Sequence, residues 1–150
     1  MAKAADAREL RRVMQQLFRR FGVLASDSTP CGKPLAPAHA HALMALLTRG
    51  EASQQELGSE LGIDKSNVAR LCARLVEAGH AEQEPSETDG RSRRVSLTAA
   101  GRKLAREVDV ASAARFAAIL RGLPGAQPQR VIDALQSLIS AIQALPTGQS

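Results

Sequence analysis

The sequence is poor in aromatic residues: it has no tryptophan, no tyrosine and only three phenylalanines among 150 residues. Proteins that bind single-stranded nucleic acids stack the bases on aromatic side chains. Because this chain has few such side chains, its composition disfavours single-strand binding. Hydrophobic residues nevertheless make up 44% of the sequence, which is enough for a folded core and argues against disorder.

Cysteine and long apolar runs are also scarce. Cys31 and Cys72 are the two cysteines, and two thiols in a reducing compartment do not indicate a structural disulfide. The first twenty residues lack the apolar core of a signal peptide, and no apolar run is long enough to span a bilayer. We therefore expect a cytoplasmic protein with no membrane partner and no cofactor.

The charge of the chain is positive, with a net value of +5 and a pI near 10.0. A basic balance favours nucleic acid or an acidic surface as the partner. Most of the cations are arginines, which form bidentate bonds to phosphate and guanine; the lysines are Lys3, Lys33, Lys65 and Lys103. With aromatic residues so rare, this composition favours double-stranded DNA over single strands.

Four longer helices are predicted from apolar residues at helical spacing. They run from about Asp6 to Phe21, from about Pro37 to Gly50, from the cap Thr98 to about Leu123, and from about Pro128 to Leu145. The apolar residues of the last helix alternate spacings of four and three, which is typical of a helix-packing seam. They are Val131, Leu135, Leu138, Ile142 and Leu145.

Two shorter helices are predicted in the centre of the chain. Ser53 and Glu56 form a capping box, in which the serine caps the helix start and the glutamate reaches back, and Gly62 ends this helix. Asp64 caps the next helix and Gly79 ends it. Two helices joined by a turn of about three residues form a helix-turn-helix.

A β-hairpin is predicted directly after the second of these helices. Ala81 to Glu84 and Arg93 to Leu97 flank a tip rich in turn-forming residues, in which Asp89-Gly90 is a strong turn signal. The predicted fold class is mainly α with a small β-hairpin wing, that is, a winged helix-turn-helix flanked by further helices.

The polar face of the helix after Asp64 carries residue types that recognise duplex DNA. Asparagine pairs bidentately with adenine and arginine with guanine, so Ser66, Asn67 and Arg70 are the candidate groove readers. Lys65 and Arg74 are the candidate phosphate contacts. The alternative for this helix taken alone is an ordinary solvated face.

The predicted hairpin tip adds three arginines, Arg91, Arg93 and Arg94. Arginine gains from the enhanced negative potential of a narrow minor groove. Asp89 lies two residues before Arg91 and can hold its guanidinium in position. An ordinary charged turn is the alternative, which the preceding helix-turn-helix disfavours.

The residues from Gln55 to Gly101 resemble the MarR family of bacterial winged-helix repressors. The resemblance is carried by the run Ser66-Asn67-Val68-Ala69-Arg70-Leu71, by Asp89-x-Arg91, and by Val95-Ser96-Leu97-Thr98-x-x-Gly101. The order of the flanking helices extends it over nearly the whole chain.

This resemblance implies a single domain over residues 1–150. The winged helix-turn-helix lobe would cover about 37–100, and dimerisation helices about 6–24 and 101–145. It further implies a homodimer that binds a pseudo-palindromic operator and a repressor that a small-molecule ligand releases from DNA.

The resemblance also implies a cleft for a small, often aromatic, anion between the dimer helices and the DNA-binding lobe. Nothing in the sequence identifies this effector. The candidate polar residues of such a pocket are Arg19, Arg20, His41 and Arg49.

Thiol or metal sensing is a second form of control to consider. Cys31 lies in a loop rich in proline and glycine, where a thiol can be exposed, and is the candidate sensor. Cys31, His39 and His41 are candidate metal ligands by residue type, but histidines two positions apart point to different sides of a helix. We therefore predict no metal site, and we expect Cys72 in the core.

Two other classes of function are weaker. An enzyme that uses Cys31 with a histidine lacks a third orienting group at a recognisable spacing, and no phosphate-binding glycine loop is present; we therefore predict no enzymatic activity. A winged helix used only for protein–protein contact would show no salt-dependent affinity for DNA.

Overall fold

The computed structural model describes residues 4–24, 29, 32, 34–85 and 93–146. These residues form six helices and one small sheet, as the sequence predicts for a winged helix-turn-helix. In chain order the elements are α1 (Ala4–Phe21), α2 (Pro37–Arg49), β1 (Glu51–Ser53), α3 (Gln54–Leu61), α4 (Lys65–Glu77), β2 (Ala81–Pro85), β3 (Arg93–Leu97), α5 (Ala99–Arg121) and α6 (Gln127–Gln143).

The chain divides into two compact units between Ser112 and Ala113. The first unit contains α1 to β3 and the first part of α5, and the second contains the rest of α5 and α6. The prediction of one domain over the whole chain stays a prediction.

The sheet has three antiparallel strands in the order β1-β3-β2. Val95 in the central strand pairs with Ala52 on one side and Gln83 on the other. The predicted hairpin strands are confirmed to within one residue, whereas β1 was not predicted because three residues are too few to show alternation. The tip of the hairpin, with Asp89 and Arg91, lies outside the described residues.

The core of the first unit lies where α2, α3, α4 and the central strand meet. Its largest fully buried side chains are Leu43, Leu46, Leu57, Cys72, Leu75, Val95 and Val108. Burying one leucine side chain contributes roughly 1.5–3 kcal/mol, so these side chains hold the small helices together. The predicted core position of Cys72 is confirmed, and burial raises the pKa of its thiol.

The predicted helix caps and stops are confirmed at both short helices. Ser53 Oγ accepts from the Glu56 backbone N–H at 3.0 Å, and an Asp64 carboxylate oxygen accepts from the Asn67 N–H at 2.8 Å. Gly62, with φ 69°, ends α3 in the left-handed conformation that glycine adopts most easily.

The other half of the predicted capping box is corrected by the structure. Glu56 does not reach back to the start of its own helix. Its two carboxylate oxygens instead lie 3.4 Å from Arg49 Nη1 and 3.4 Å from Arg94 Nη1. Ser53 is at the same time the last residue of β1, paired with Arg94 in the sheet, and the two guanidinium charges attract the carboxylate.

The start of α5 is fixed against the turn after α4. The Thr98 N–H donates to the His80 carbonyl at 3.0 Å, and the Thr98 hydroxyl donates to the Gly79 carbonyl at 2.6 Å. The same hydroxyl accepts from the Gly101 N–H at 3.0 Å, which confirms Thr98 as the cap of this helix. A Cβ atom at Gly101 would lie 1.9 Å from the His80 carbonyl oxygen. The Leu-Thr-x-x-Gly pattern therefore encodes this junction.

Helices α1 and α6 bury none of their residues, all of which the structure describes. Leu17 on α1 is 48% exposed, and Ile139 on α6 is 52% exposed. Among the described residues, no helix combines the length and the apolar character that crossing a bilayer would require.

We predict that Gly101→Ala destabilises the protein by about 3 kcal/mol, because the added methyl group meets the His80 carbonyl, which cannot move without breaking its hydrogen bond from the Thr98 N–H. Denaturant unfolding measures this effect. Gly122→Ala is the matched control, since its Cβ would meet its nearest neighbour at 3.3 Å. Equal stability of the two variants would contradict the assigned role of Gly101.

Candidate nucleic-acid interface

Helix α4 is held against α3 by a close approach at Gly58. A Cβ atom there would lie 3.2 Å from the Ile63 carbonyl oxygen and 3.3 Å from Val68 Cγ1, so a small residue lets the two helices of the helix-turn-helix pack closely. The buried face of α4 consists of Val68, Leu71, Cys72 and Leu75. This packing fixes which face of α4 turns outward.

The exposed face of α4 carries all five of the predicted DNA-contacting residues of this helix. These are Lys65, Ser66, Asn67, Arg70 and Arg74. The helix has a strongly amphipathic sequence, so burying its apolar stripe necessarily presents the polar side chains. Their contacts with DNA stay predictions.

A chain of hydrogen bonds links several of these side chains along the first turns of α4. The Asp64 carboxylate accepts from the Ser66 hydroxyl at 3.0 Å and from Asn67 Nδ2 at 3.0 Å. Asn67 Oδ1 in turn accepts from Arg70 Nη2 at 3.1 Å. The face is therefore an ordered array, in which one carboxylate orients an amide and the amide orients a guanidinium.

These hydrogen bonds also affect the ionisation of Asp64. The backbone N–H of Asn67, followed by the hydroxyl of Ser66, lowers the pKa of this carboxyl group below its ordinary value. Hydrogen bonds to a carboxylate favour its charged form. Asp64 consequently carries a negative charge at neutral pH, at the start of a helix whose exposed face carries Lys65, Arg70 and Arg74.

At the base of the wing the structure distinguishes the two described arginines. Arg93 is exposed, whereas Arg94 is part of an ion-pair cluster with Glu51 at 3.0 Å and Glu56 at 3.4 Å. To contact DNA, the Arg94 guanidinium would have to break its ion pairs with Glu51 and Glu56. The predicted contacts of Arg91 and Asp89 fall on residues that are not described.

The predicted ligand-pocket residues occupy different parts of the described structure. Arg49 ends α2 and forms ion pairs with Glu60 at 2.6 Å and Glu56 at 3.4 Å, beside an open depression of about 590 Å³. Arg19 and Arg20 are exposed in the last turn of α1, and His41 is exposed on α2. Their role in binding an effector stays a prediction.

The structure places His39 beside His80 rather than beside His41. His39 Nε2 and His80 Nδ1 are 3.0 Å apart, and the rings meet edge to face with centroids 5.2 Å apart. Because the two nitrogens lie between the rings and face each other, this geometry is that of a hydrogen bond and not of two ligands converging on a metal ion. The sequence offered no evident partner for His80.

No group of three or more histidine, cysteine, aspartate or glutamate side chains is placed to hold a metal ion within the described part of the chain. Cys31, the third candidate ligand and the candidate sensor, lies outside that part. Cys31, His39 and His41 stay candidate metal ligands by residue type alone, and no metal site is predicted.

We predict that the free energy of unfolding falls as the pH decreases below about 6.5, the ordinary pKa of histidine. Burial, followed by the charge of His80, lowers the pKa of His39. The unfolded chain then binds a proton more readily than the folded one. The contribution of neutral His39 to the free energy of unfolding is therefore fully present above this pH and declines below it. Denaturant unfolding between pH 7.5 and 5 measures the decline.

Two histidine variants separate this effect from other titrations. His39→Gln should flatten the decline between pH 6.5 and 5, and His41→Gln, on the same helix but exposed, should retain it. A His39→Gln protein with the wild-type pH dependence would show that this pair does not control stability.

Sequence reasoning missed three sets of contacts: the pairing of His39 with His80, the ion pairs of Arg49 and Arg94, and the side-chain hydrogen bonds that link Asp64, Asn67 and Arg70. The first two join residues far apart in the chain and had no local signal. The third had one, because Asp64, Asn67 and Arg70 are spaced by three and polar side chains at this spacing are neighbours on a helix.

The fold and the exposed face of α4 beside a hairpin define a winged-helix protein of the DNA-binding class. Residues 33–92 match the model of the MarR family. The exopolysaccharide II synthesis transcriptional activator ExpG of Rhizobium meliloti (strain 1021) is 34% identical over 98 residues, which are 64% of this chain. They are 50% of that relative, so the match spans about half the length of ExpG.

Several solved structures are similar over almost the whole chain, among them those of FabT and PcaV. FabT from Streptococcus pneumoniae, solved in complex with DNA, has a TM-score of 0.77 at 19% identity and covers 94% of this chain and 100% of its own. PcaV from Streptomyces coelicolor, in complex with its natural ligand, has a TM-score of 0.72 at 22% identity, with coverages of 95% and 99%. At sequence identities of 19% and 22%, this similarity shows that the chain has the same fold as these proteins.

Together, the family match and these relatives confirm the resemblance to the MarR family of winged-helix transcriptional regulators. Because the proteins of this family are non-enzymatic DNA-binding regulators, the prediction that the chain is not an enzyme is also confirmed.

Proposed function

We propose that this protein is a cytoplasmic, dimeric transcriptional regulator that inserts α4 into the major groove of a pseudo-palindromic operator. The observation that carries this proposal is the exposed face of α4, where an asparagine and an arginine are held side by side by hydrogen bonds. These are the side chains that read adenine and guanine in the major groove.

Charge supports the same orientation on DNA. Lys65 and Arg74 lie exposed toward the two ends of α4, and Arg93 is exposed where the wing begins. Cations that flank the groove-reading residues neutralise phosphates on either side of the groove and fix the register of the helix. A net charge of +5 adds a general attraction to DNA.

The dimer is proposed from apolar surfaces that each unit leaves uncovered. On α1, Leu10, Leu17 and Phe18 are all more than 40% exposed. On α6 the same holds for Leu135, Ile139 and Ile142. Contiguous apolar surface of this kind marks an interaction site, and a second copy supplies a matching surface.

The proposed control is release from DNA by a small-molecule ligand, with Arg19, Arg20, His41 and Arg49 as the candidate polar contacts. PcaV was solved in complex with its natural ligand, which shows that one protein of this fold binds a ligand. Thiol sensing by Cys31, with or without His39 and His41, is the alternative. We propose repression as the direction of control; ExpG is named an activator, so a reporter fused to the bound promoter decides this point.

We predict that affinity for duplex DNA falls steeply with salt, by about 10³-fold or more between 50 and 200 mM if at least six phosphates are neutralised. Fluorescence anisotropy with a labelled duplex measures this salt dependence.

Arg91→Ala should weaken binding to all sequences, whereas Asn67→Ala and Arg70→Ala should mainly reduce sequence discrimination.

Arg121→Ala is the control for these variants, because it removes one exposed positive charge outside the winged helix-turn-helix. Wild-type affinity that does not change with salt would exclude the regulator function and favour a winged helix used only for protein contact.

We predict that Ile139→Glu shifts the protein from dimer to monomer, because it places a charge in the apolar surface of α6. Sedimentation velocity at micromolar concentration measures the mass. Gln136→Glu adds the same charge to an exposed polar position of this helix and should leave the dimer intact. A wild-type protein that sediments as a monomer would refute the proposed assembly.

A further inference from the structure

Asp64 does more than cap a helix. Of its two carboxylate oxygens, Oδ1 accepts from the Asn67 backbone N–H and the Ser66 hydroxyl, which is the usual arrangement at a helix start. Oδ2 accepts from the side-chain amide of Asn67 at 3.0 Å. Capping requires only Oδ1, so the hydrogen bond that Oδ2 accepts affects the Asn67 side chain and not the helix start.

We propose that Asp64 is a specificity-determining positioning residue, which orients the amide of Asn67 so that it selects adenine in the operator. This inference rests on the proposed function, because it concerns how the same face of α4 discriminates between bases.

The orientation follows from the two neighbours of the amide. Nδ2 of Asn67 points to a carboxylate, which only accepts hydrogen bonds, and Oδ1 points to the guanidinium of Arg70, which only donates. Rotating the amide by half a turn would place oxygen against oxygen and N–H against N–H. Asp64 and Arg70 therefore select one of the two orientations.

The hydrogen-bonding groups left over match adenine. An amide has two N–H donors and an oxygen with two acceptor positions; Asp64 takes one donor and Arg70 takes one acceptor position. One donor and one acceptor remain on Asn67, which is the pair that adenine requires at N7 and N6 in the major groove. Arg70 keeps further donors, and guanine next to this adenine is the base they fit.

The charge of Asp64 contributes to discrimination in a second way. A carboxylate on the DNA-facing helix is repelled by the phosphates of every sequence, whereas only the correct operator offers the base contacts that its orientation of Asn67 permits. Removing the carboxylate should thus raise affinity for unrelated DNA while it lowers preference for the operator, in keeping with specificity that combines attraction and repulsion.

The test is base preference in the Asp64→Ser variant, which retains an oxygen for the cap but loses the second oxygen and the charge. Wild-type protein first selects its operator from a random duplex library. Anisotropy then compares that operator with a copy in which the preferred adenine pair is replaced. We expect the discrimination to fall roughly tenfold in Asp64→Ser, with affinity for unrelated duplex increased.

A double-mutant comparison shows whether Asp64 acts through Asn67. Asn67→Ala alone should lose the adenine preference, and adding Asp64→Ser to it should cause no further loss. Glu77→Gln, which removes one negative charge at the other end of the same helix, should leave the preference unchanged. Independent, multiplying losses would show that Asp64 is only a cap, and would overturn the inference.

Asp64→Asn covers the case in which the serine variant does not fold. It keeps the size of the side chain and one acceptor, but an amide N–H can then face the Asn67 amide. Reduced adenine preference at unchanged melting temperature supports the inference, and unchanged preference overturns it. A wild-type protein that selects no sequence from the library would instead refute the proposed function itself.

Discussion

The winged helix-turn-helix depends on one backbone contact, the approach of α5 to the carbonyl of His80 at a position where only glycine fits. Three hydrogen bonds of Thr98 hold this contact. It fixes the end of α4 to the end of β3 and to the beginning of α5. The direction in which the recognition helix points is thus set by packed backbone, while its outward face carries exposed polar side chains that can serve recognition.

That outward face is ordered although it is exposed. Long polar side chains in water ordinarily lose conformational entropy when they bind. Here the entropy of Asn67 and Arg70 is partly lost already in the free protein, because Asp64 and the amide hold them. Order of this kind reduces the cost of forming base contacts and restricts which contacts are possible. The order depends on one acidic residue within a basic surface, and composition alone gives no reason to expect it.

The fold could be predicted from the sequence to a large extent, because its signals are local. Ser53, Gly62, Asp64 and Thr98 each mark a helix boundary by their own chemistry, and the structure has the boundaries there. Contacts between distant residues could not be predicted: β1 is too short to show a pattern, and nothing in the neighbourhood of His80 points to His39. Glu56 shows the limit of a local rule, since two arginines from other elements displace the predicted bond.

The ion-pair cluster at the base of the wing has a consequence for the approach to DNA. Glu51, Glu56 and Glu60 face two guanidinium groups, those of Arg49 and Arg94, which leaves one negative charge in excess. The cations of α4 belong to a different element and take part in none of the ion pairs found among the described residues. A lobe with charge separated in this way has a dipole, and the field of a DNA duplex exerts a torque on it at distances up to about the Debye length, roughly 8–10 Å. The lobe would be turned to present α4 before any base is touched, which would raise the fraction of collisions that lead to binding.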